Sequence, residues 1–189
     1  MAKLYFRYGA MRSAKTLNLL AVAHNYKDQG KNVIIIKPAL DDRYGVRKVT
    51  SRAGLDTEAD ILVKESTIIN ILNPTKISCI LADEAQFLSP SVVEQLREIS
   101  RVHNIPVICY GLRTDFRGKL FPGSARLMEL ADSIEEIKVT CQFCNKKATM
   151  NMRLLNGKPT LSGEQIQLGG DESYIPVCYG CYHDKLGQP

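Results

Sequence analysis

The feature that most constrains this chain is the run Val33-Ile34-Ile35-Ile36, set within Asn32 to Lys37. A continuous apolar run of this length suits a strand buried on both faces, the position of a central strand in a parallel sheet with helices above and below. Neighbouring segments supply the rest of such a fold. Leu4, Phe6 and Tyr8 share one face of an extended segment from Lys3 to Tyr8, which Gly9 breaks. From Lys15 the spacing of Leu19, Val22, Ala23 and Tyr26 predicts a helix, and Gly30 supplies its stop. Ser66 to Leu72 reads as a short helix, and Ile77 to Ala82 as a second buried strand ending in Asp83-Glu84. Ser89 with Pro90 offers a cap and a first-turn proline, with Ser91 and Glu94 as an alternative capping box. The stripe Val92, Leu96, Ile99 and Val102 follows, then a strand over Pro106 to Tyr110 and a helix over Ala125 to Ala131. This alternation predicts a three-layer α/β core with a mostly parallel sheet over residues 1–139, and ligands at the carboxyl ends of its strands.

Composition narrows the functional classes. With 189 residues and 44% hydrophobic content, the chain can bury one full domain plus an appendage, which excludes a two-lobed motor or a multidomain polymerase. No apolar run approaches the ~20 residues that span a bilayer, so a soluble protein is expected. Met1 to Tyr8 carries Lys3 and Arg7 and lacks the pattern of a secretory leader, so the expected compartment is the cytoplasm. The 25 Lys and Arg against 20 Asp and Glu give a formal charge of +5. That excess fits polyphosphate binding, weak nucleic-acid affinity or solubility, and charge alone does not choose among them.

Gly9-Ala10-Met11-Arg12-Ser13-Ala14-Lys15-Thr16 matches a P-loop in spacing and lies between a predicted strand and a predicted helix. Successive backbone N–H groups at a helix start form an anion cradle, Lys15 would reach terminal phosphates, and the Thr16 hydroxyl would ligate magnesium. An ordinary strand-to-helix turn is the competing reading. Ala14 stands where a second glycine is usual; if that position needs positive φ, alanine costs about 1–2 kcal/mol, so the loop is either strained or folded to avoid it. The strand Ile77 to Ala82 delivers the acids a P-loop enzyme needs: Asp83 to hold the ion, Glu84 to act as general base.

After residue 139 the texture changes: residues 140–189 hold four of the six cysteines and no long helical period. Cys141-x-x-Cys144 and Cys178-x-x-Cys181 suit a closed, structural tetrahedral zinc site, with paired disulfides as the alternative. Cys79 and Cys109 lie in apolar strands and read as core. Between the cysteine pairs, Met150 to Leu155 and Gln165 to Leu168 read as a hairpin followed by Gly169-Gly170. A segment pinned at both ends resembles a lid, useful where water must be excluded from phosphoryl transfer; a zinc ribbon binding nucleic acid or a partner is the other reading. A nucleic-acid-stimulated ATPase also stays open, since Asp83-Glu84-Ala85-Gln86 resembles a helicase box.

Taken in order, several blocks resemble the type II, zinc-containing thymidine kinase family over nearly the whole chain. They are Tyr8-Gly9-Ala10-Met11, Lys15-Thr16, Lys37-Pro38 with Asp41-x-Arg43-Tyr44-Gly45, Asp83 to Phe87, Gly111 to Phe116, the cysteine pairs, and Gly169-Gly170 before Tyr174. The resemblance implies a recombinase-type P-loop core and a small zinc-stapled lid subdomain, residues 140–189, whose lasso covers a nucleoside. It implies transfer of the ATP γ-phosphoryl group to the 5'-hydroxyl of deoxythymidine, with Glu84 as base. ATP would be held by Gly9, Ala10, Met11, Arg12, Ser13, Ala14, Lys15 and Thr16 together with Asp83, Glu84, Ala85 and Gln86, magnesium by Thr16 and Asp83, and zinc by the four cysteines. Asp41 and Arg43 would give support on the phosphate side. Met11, Phe87, Leu112, Phe116, Phe121 and Tyr174 would line the nucleoside pocket, and main-chain groups of Gln167, Leu168, Gly169 and Gly170 would read the thymine edge. A homotetramer and feedback inhibition by deoxythymidine triphosphate are also implied, with no membrane or specific nucleic-acid partner. Ala14 and Arg12 depart from the family pattern, and Arg12 would place an extra guanidinium beside the phosphates.

Overall fold

The computed structural model describes residues 1–42, 45–166 and 173–187. Six strands, β1 (Leu4–Tyr8), β2 (Asn32–Pro38), β5 (Ile61–Val63), β6 (Ile77–Ala82), β7 (Val107–Gly111) and β8 (Ser133–Glu136), form a parallel sheet in the order β5-β2-β6-β7-β1-β8. The period-2 geometry of a strand divides its side chains between two cores. On one face Phe6, Ile36, Ile80 and Val107 meet helices α2 (Pro90–His103) and α3 (Pro122–Leu130) through Val92, Leu96 and Leu127. On the other, Ile35, Cys79, Leu81 and Tyr110 meet helix α1 (Lys15–Asp28) through Leu19, Leu20 and Ala23. Each such Val, Leu, Ile or Phe side chain, fully buried, contributes roughly 1.5–3 kcal/mol. The predicted doubly covered parallel sheet is what forms, with Cys79 and Cys109 fully buried in it.

Helix ends follow local chemistry. Ser89 caps α2, its Oγ accepting from the Val92 N–H at 3.4 Å with Pro90 in the first turn, so the Ser89 cap is used rather than the Ser91 capping box. Val102, at the end of the predicted stripe, is 58% exposed. Helix α3 begins earlier than the sequence pattern suggested because Pro122 occupies its first turn. The short helix expected over Ser66 to Leu72 does not form. That segment is a strap held by Gln95 of α2, which accepts from the Ile69 N–H at 2.8 Å and donates to the Thr67 carbonyl at 3.0 Å. Ile69 is thereby drawn into the core.

Two smaller sheets flank the strand ends. Strands β3 (Lys48–Thr50) and β4 (Asp56–Glu58) make an antiparallel hairpin. Strand β9 (Met150–Leu155) pairs antiparallel with β10 (Lys158–Thr160) on one edge and β11 (Tyr174–Val177) on the other. Gln165 to Leu168 was expected to partner β9; these two strands take that place, Gln165 is not in a strand, and Leu168 lies outside the described residues. Helix α4 (Tyr179–Leu186) closes this unit, its Tyr182 packing with Met152, Ile175 and Val177. Among the described residues no helix is long and apolar enough to cross a membrane.

Candidate active site

The carboxyl ends of β1, β6 and β7 open onto one cavity of about 440 Å³. Gly9 ends β1 where a side chain could not fit: a Cβ there would lie 2.3 Å from Ser13 Oγ and 2.5 Å from the Ile137 carbonyl. The loop then turns through two left-handed non-glycine residues, Arg12 (φ 63°) and Ala14 (φ 61°). Ala14 therefore takes the strained alternative, at about 1–2 kcal/mol. Lys15 folds back on the loop, its Nζ donating to the Ala10 carbonyl at 2.9 Å and to the Gly9 carbonyl and Ser13 Oγ at 3.3 Å. Met11 to Thr16 line the cavity; Gly9 and Ala10 do not.

Strand β6 ends in the two acids. Asp83 is buried and accepts the Thr16 hydroxyl at 3.1 and 3.4 Å. Burial, then the neighbouring Glu84 charge, pushes the Asp83 carboxyl up to about 7. A cation placed between Thr16 and Asp83 would favour the carboxylate, so this half-buried hydroxyl–carboxyl pair suits a hard divalent ion. Glu84 sits at φ 47°, and its Oε2 accepts from Gln86 Nε2 at 2.5 Å. Gln86 is itself fixed, because its Oε1 accepts the Leu112 N–H at 2.9 Å. Gly111 leaves room for that amide: a Cβ would come within 2.8 Å of Gln86 Oε1. Ala85, fully buried, packs beneath and does not line the cavity.

Asp41 reaches the cavity beside Lys37, their charged atoms 3.4 Å apart and both side chains almost fully buried. Lys37 Nζ also donates to the carbonyls of Lys48 at 2.6 Å and Gly45 at 3.3 Å. Residues Lys48 to Ala53, carried on the β3–β4 hairpin, form a wall that sequence reasoning missed; three-residue polar strands have no period to detect. Arg43 lies outside the described residues.

The opposite wall is aromatic. Phe87 meets Phe121 edge-on at 5.6 Å, and Phe116 lies 6.3 Å from Tyr174. Leu112 joins them. Phe116 is flanked by the guanidinium groups of Arg117 at 4.9 Å and Arg153 at 5.0 Å. Both arginines donate onward to backbone carbonyls, Arg117 to those of Leu161 and Gly163, Arg153 to those of Ser162 and Glu164. Asp115 accepts from Gln165 Nε2 at 2.9 Å, bringing that side chain to the cavity edge. Asp115, Asn151 and Gln165 were not singled out from sequence; Asp115 lay inside the quoted Gly111 to Phe116 block and was the findable one. Gln167, Leu168, Gly169 and Gly170 lie outside the described residues.

The sulfurs of Cys141, Cys144, Cys178 and Cys181 all lie within 4.8 Å of one another. None forms a disulfide. Burial opposes ionisation of Cys141, yet N–H groups at Cys178, Phe143 and Cys144 bring its thiol down to about 6, while hydrogen bonding to Cys178 pushes Cys181 up to about 12. Four clustered thiols resist shared ionisation unless a cation is present, and an all-sulfur donor set suits a soft or borderline metal ion.

The model of the family described as thymidine kinase matches residues 2–182. The thymidine kinase of Lactococcus lactis subsp. lactis (strain IL1403) is 49% identical over 180 residues, covering 94% of this chain and 95% of its own. That of Lactiplantibacillus plantarum (strain ATCC BAA-793 / NCIMB 8826 / WCFS1) is 50% identical over 180 residues, covering 94% of each chain. Among solved structures, Bacteroides Pif1 bound to ssDNA overlaps 71% of this chain and 38% of its own at 14% identity, with a TM-score of 0.41 that is too low to bear on function. The loop from Gly9 to Thr16, an acid pair and an aromatic wall meet in one cavity, and the sequence match runs almost from end to end, so the chain belongs to the thymidine kinase family.

Proposed function

We propose that this protein transfers the γ-phosphoryl group of ATP to the 5'-hydroxyl of deoxythymidine, giving deoxythymidine monophosphate and ADP. The observation that carries the reading is convergence: Lys15, Thr16, Asp83 and Glu84 face paired aromatic rings across a single cavity. Triphosphate would lie on the loop from Gly9 to Thr16, with Lys15 turning from its loop carbonyls toward the terminal phosphates. Thr16 and Asp83 would hold magnesium, which when bound neutralises phosphate charge. Phe87, Phe116, Phe121 and Tyr174 would enclose the base with Leu112 and Met11. Glu84, oriented by Gln86, would take the proton of the sugar hydroxyl as its oxygen bonds to phosphorus and the bond to the β-phosphate oxygen breaks. Membership of the thymidine kinase family supports the acceptor.

The cysteine cluster is read as a structural zinc site, and the chain as a kinase core over residues 1–139 with a zinc-stapled lid over 140–189. Main-chain reading of the thymine edge by Gln167 to Gly170, phosphate-side support from Asp41 and Arg43, a cytoplasmic location, a homotetramer and inhibition by deoxythymidine triphosphate complete the proposal. The test is ADP formation by zinc-loaded protein with magnesium, across a panel of nucleosides. ADP that appears only with added thymidine or a close analogue is the expected result; none with any nucleoside overturns it.

A further inference from the structure

Arg12, the residue that departs from the family pattern, does not simply point at the phosphate side of the cavity. Its guanidinium donates to Gln142 Oε1 at 3.3 Å, and Gln142 sits between Cys141 and Cys144. Its neighbour Met11 is tied to the same unit: the Met11 N–H donates to Asn151 Oδ1 at 2.8 Å. Asn151 is 4% exposed on β9, and its Nδ2 donates to the Thr114 carbonyl at 3.1 Å, which fixes the amide in place. Gln142 is braced in turn, since its N–H donates to the Pro176 carbonyl of β11. Two consecutive residues of the loop are thus held by side chains of the cysteine-bearing unit, Met11 by Asn151 of β9 and Arg12 by Gln142 of the loop between Cys141 and Cys144. A left-handed Arg12 is a conformation that surroundings must hold.

We propose that Asn151 and Gln142 are positioning residues through which the metal-stapled unit sets the phosphate loop, so that nucleotide binding and zinc retention are thermodynamically linked. The inference rests on nucleotide binding at that loop, as proposed above. Losing the metal frees Asn151 and Gln142 and leaves Met11 and Arg12 without their supports, which weakens nucleotide binding. By reciprocity, bound nucleotide must raise zinc affinity by the same factor.

The experiment uses the full chain in zinc-buffered solution, with zinc occupancy read by native mass spectrometry with and without saturating Mg·ADP, whose binding is measured separately by calorimetry. The free-zinc concentration for half occupancy should fall roughly fivefold or more when ADP is bound. In Asn151→Ala this ratio should collapse toward one, and in Gln142→Ala it should shrink by a smaller amount. General destabilisation would lower zinc affinity with and without ADP alike and leave the ratio intact. If Asn151→Ala does not fold, wild type and the exposed-site variant Gln142→Ala decide. Equal half-occupancy points despite measurable ADP binding overturn the linkage while leaving the kinase reading standing. An unchanged ratio in both variants overturns the assigned residues, and no ADP binding at all overturns the nucleotide site and the linkage with it.

Discussion

Strands β6 and β9 are each six residues long and each brings a residue to the cavity, Asp83 just past the end of one and Asn151 within the other. Their support differs. Strand β6 lies between β2 and β7, has helices over both faces, and keeps Cys79 to Ala82 wholly buried. Strand β9 belongs to a three-stranded sheet whose buried cluster includes two of the cysteines themselves. A sheet covered on both faces is held by apolar burial, whereas so small a core depends on a cross-link or a metal. The side of the cavity that carries Asp83 can then be rigid while the side that carries Asn151 is made conditional.

The sharpest way to break this comparison is to remove a cysteine. Closed thiolate sites in small domains contribute on the order of 10 kcal/mol of apparent folding energy at neutral pH. Cys178→Ser should therefore lose zinc stoichiometry and amide protection across β9 and β11, with protection in β6 and β7 retained. Unchanged zinc content and melting would show that the small sheet supports itself. Next in size is Glu84→Gln, which leaves both sheets intact and removes the proposed proton acceptor: turnover should fall about 100-fold or more with nucleotide binding kept. Near-normal turnover in a steady-state assay would take Glu84 out of that role. The smallest change is Ala14→Gly, which relieves a left-handed alanine in the core half. A gain of about 1 kcal/mol is expected, or about 2–4 °C in melting temperature for a chain of this size; a loss on calorimetry would mean the alanine methyl makes contacts that outweigh its strain.

The core half was legible because its signals are local and repeated. Val33 to Ile36 required burial on both faces, Gly9 and Lys15 bracketed a turn, and Ser89-Pro90 marked a helix start; all of these persist in the structure. The cysteine cluster was legible for another reason, since paired thiols at fixed spacing need only a turn to bring them together. What escaped was long-range. Nothing local in Ser66 to Leu72 announces that Gln95 will hold it extended. Nothing in Asn151 announces that it will meet Met11, a residue 140 positions away. Ala14 shows the boundary between the two cases: its sequence position raises the question of positive φ, and only the folded loop, with φ at 61°, answers it.

Lys37 carries a last consequence. Its ammonium group lies beneath the β3–β4 hairpin, bound to carbonyls at Gly45 and Lys48 and adjacent to Asp41. The hairpin rests, in effect, on a post one lysine side chain long, and the wall that Lys48 to Ala53 give the cavity is seated on it. A guanidinium in its place would be broader and would need a different set of acceptors, so even the most conservative change of cation would reseat the hairpin that walls the cavity.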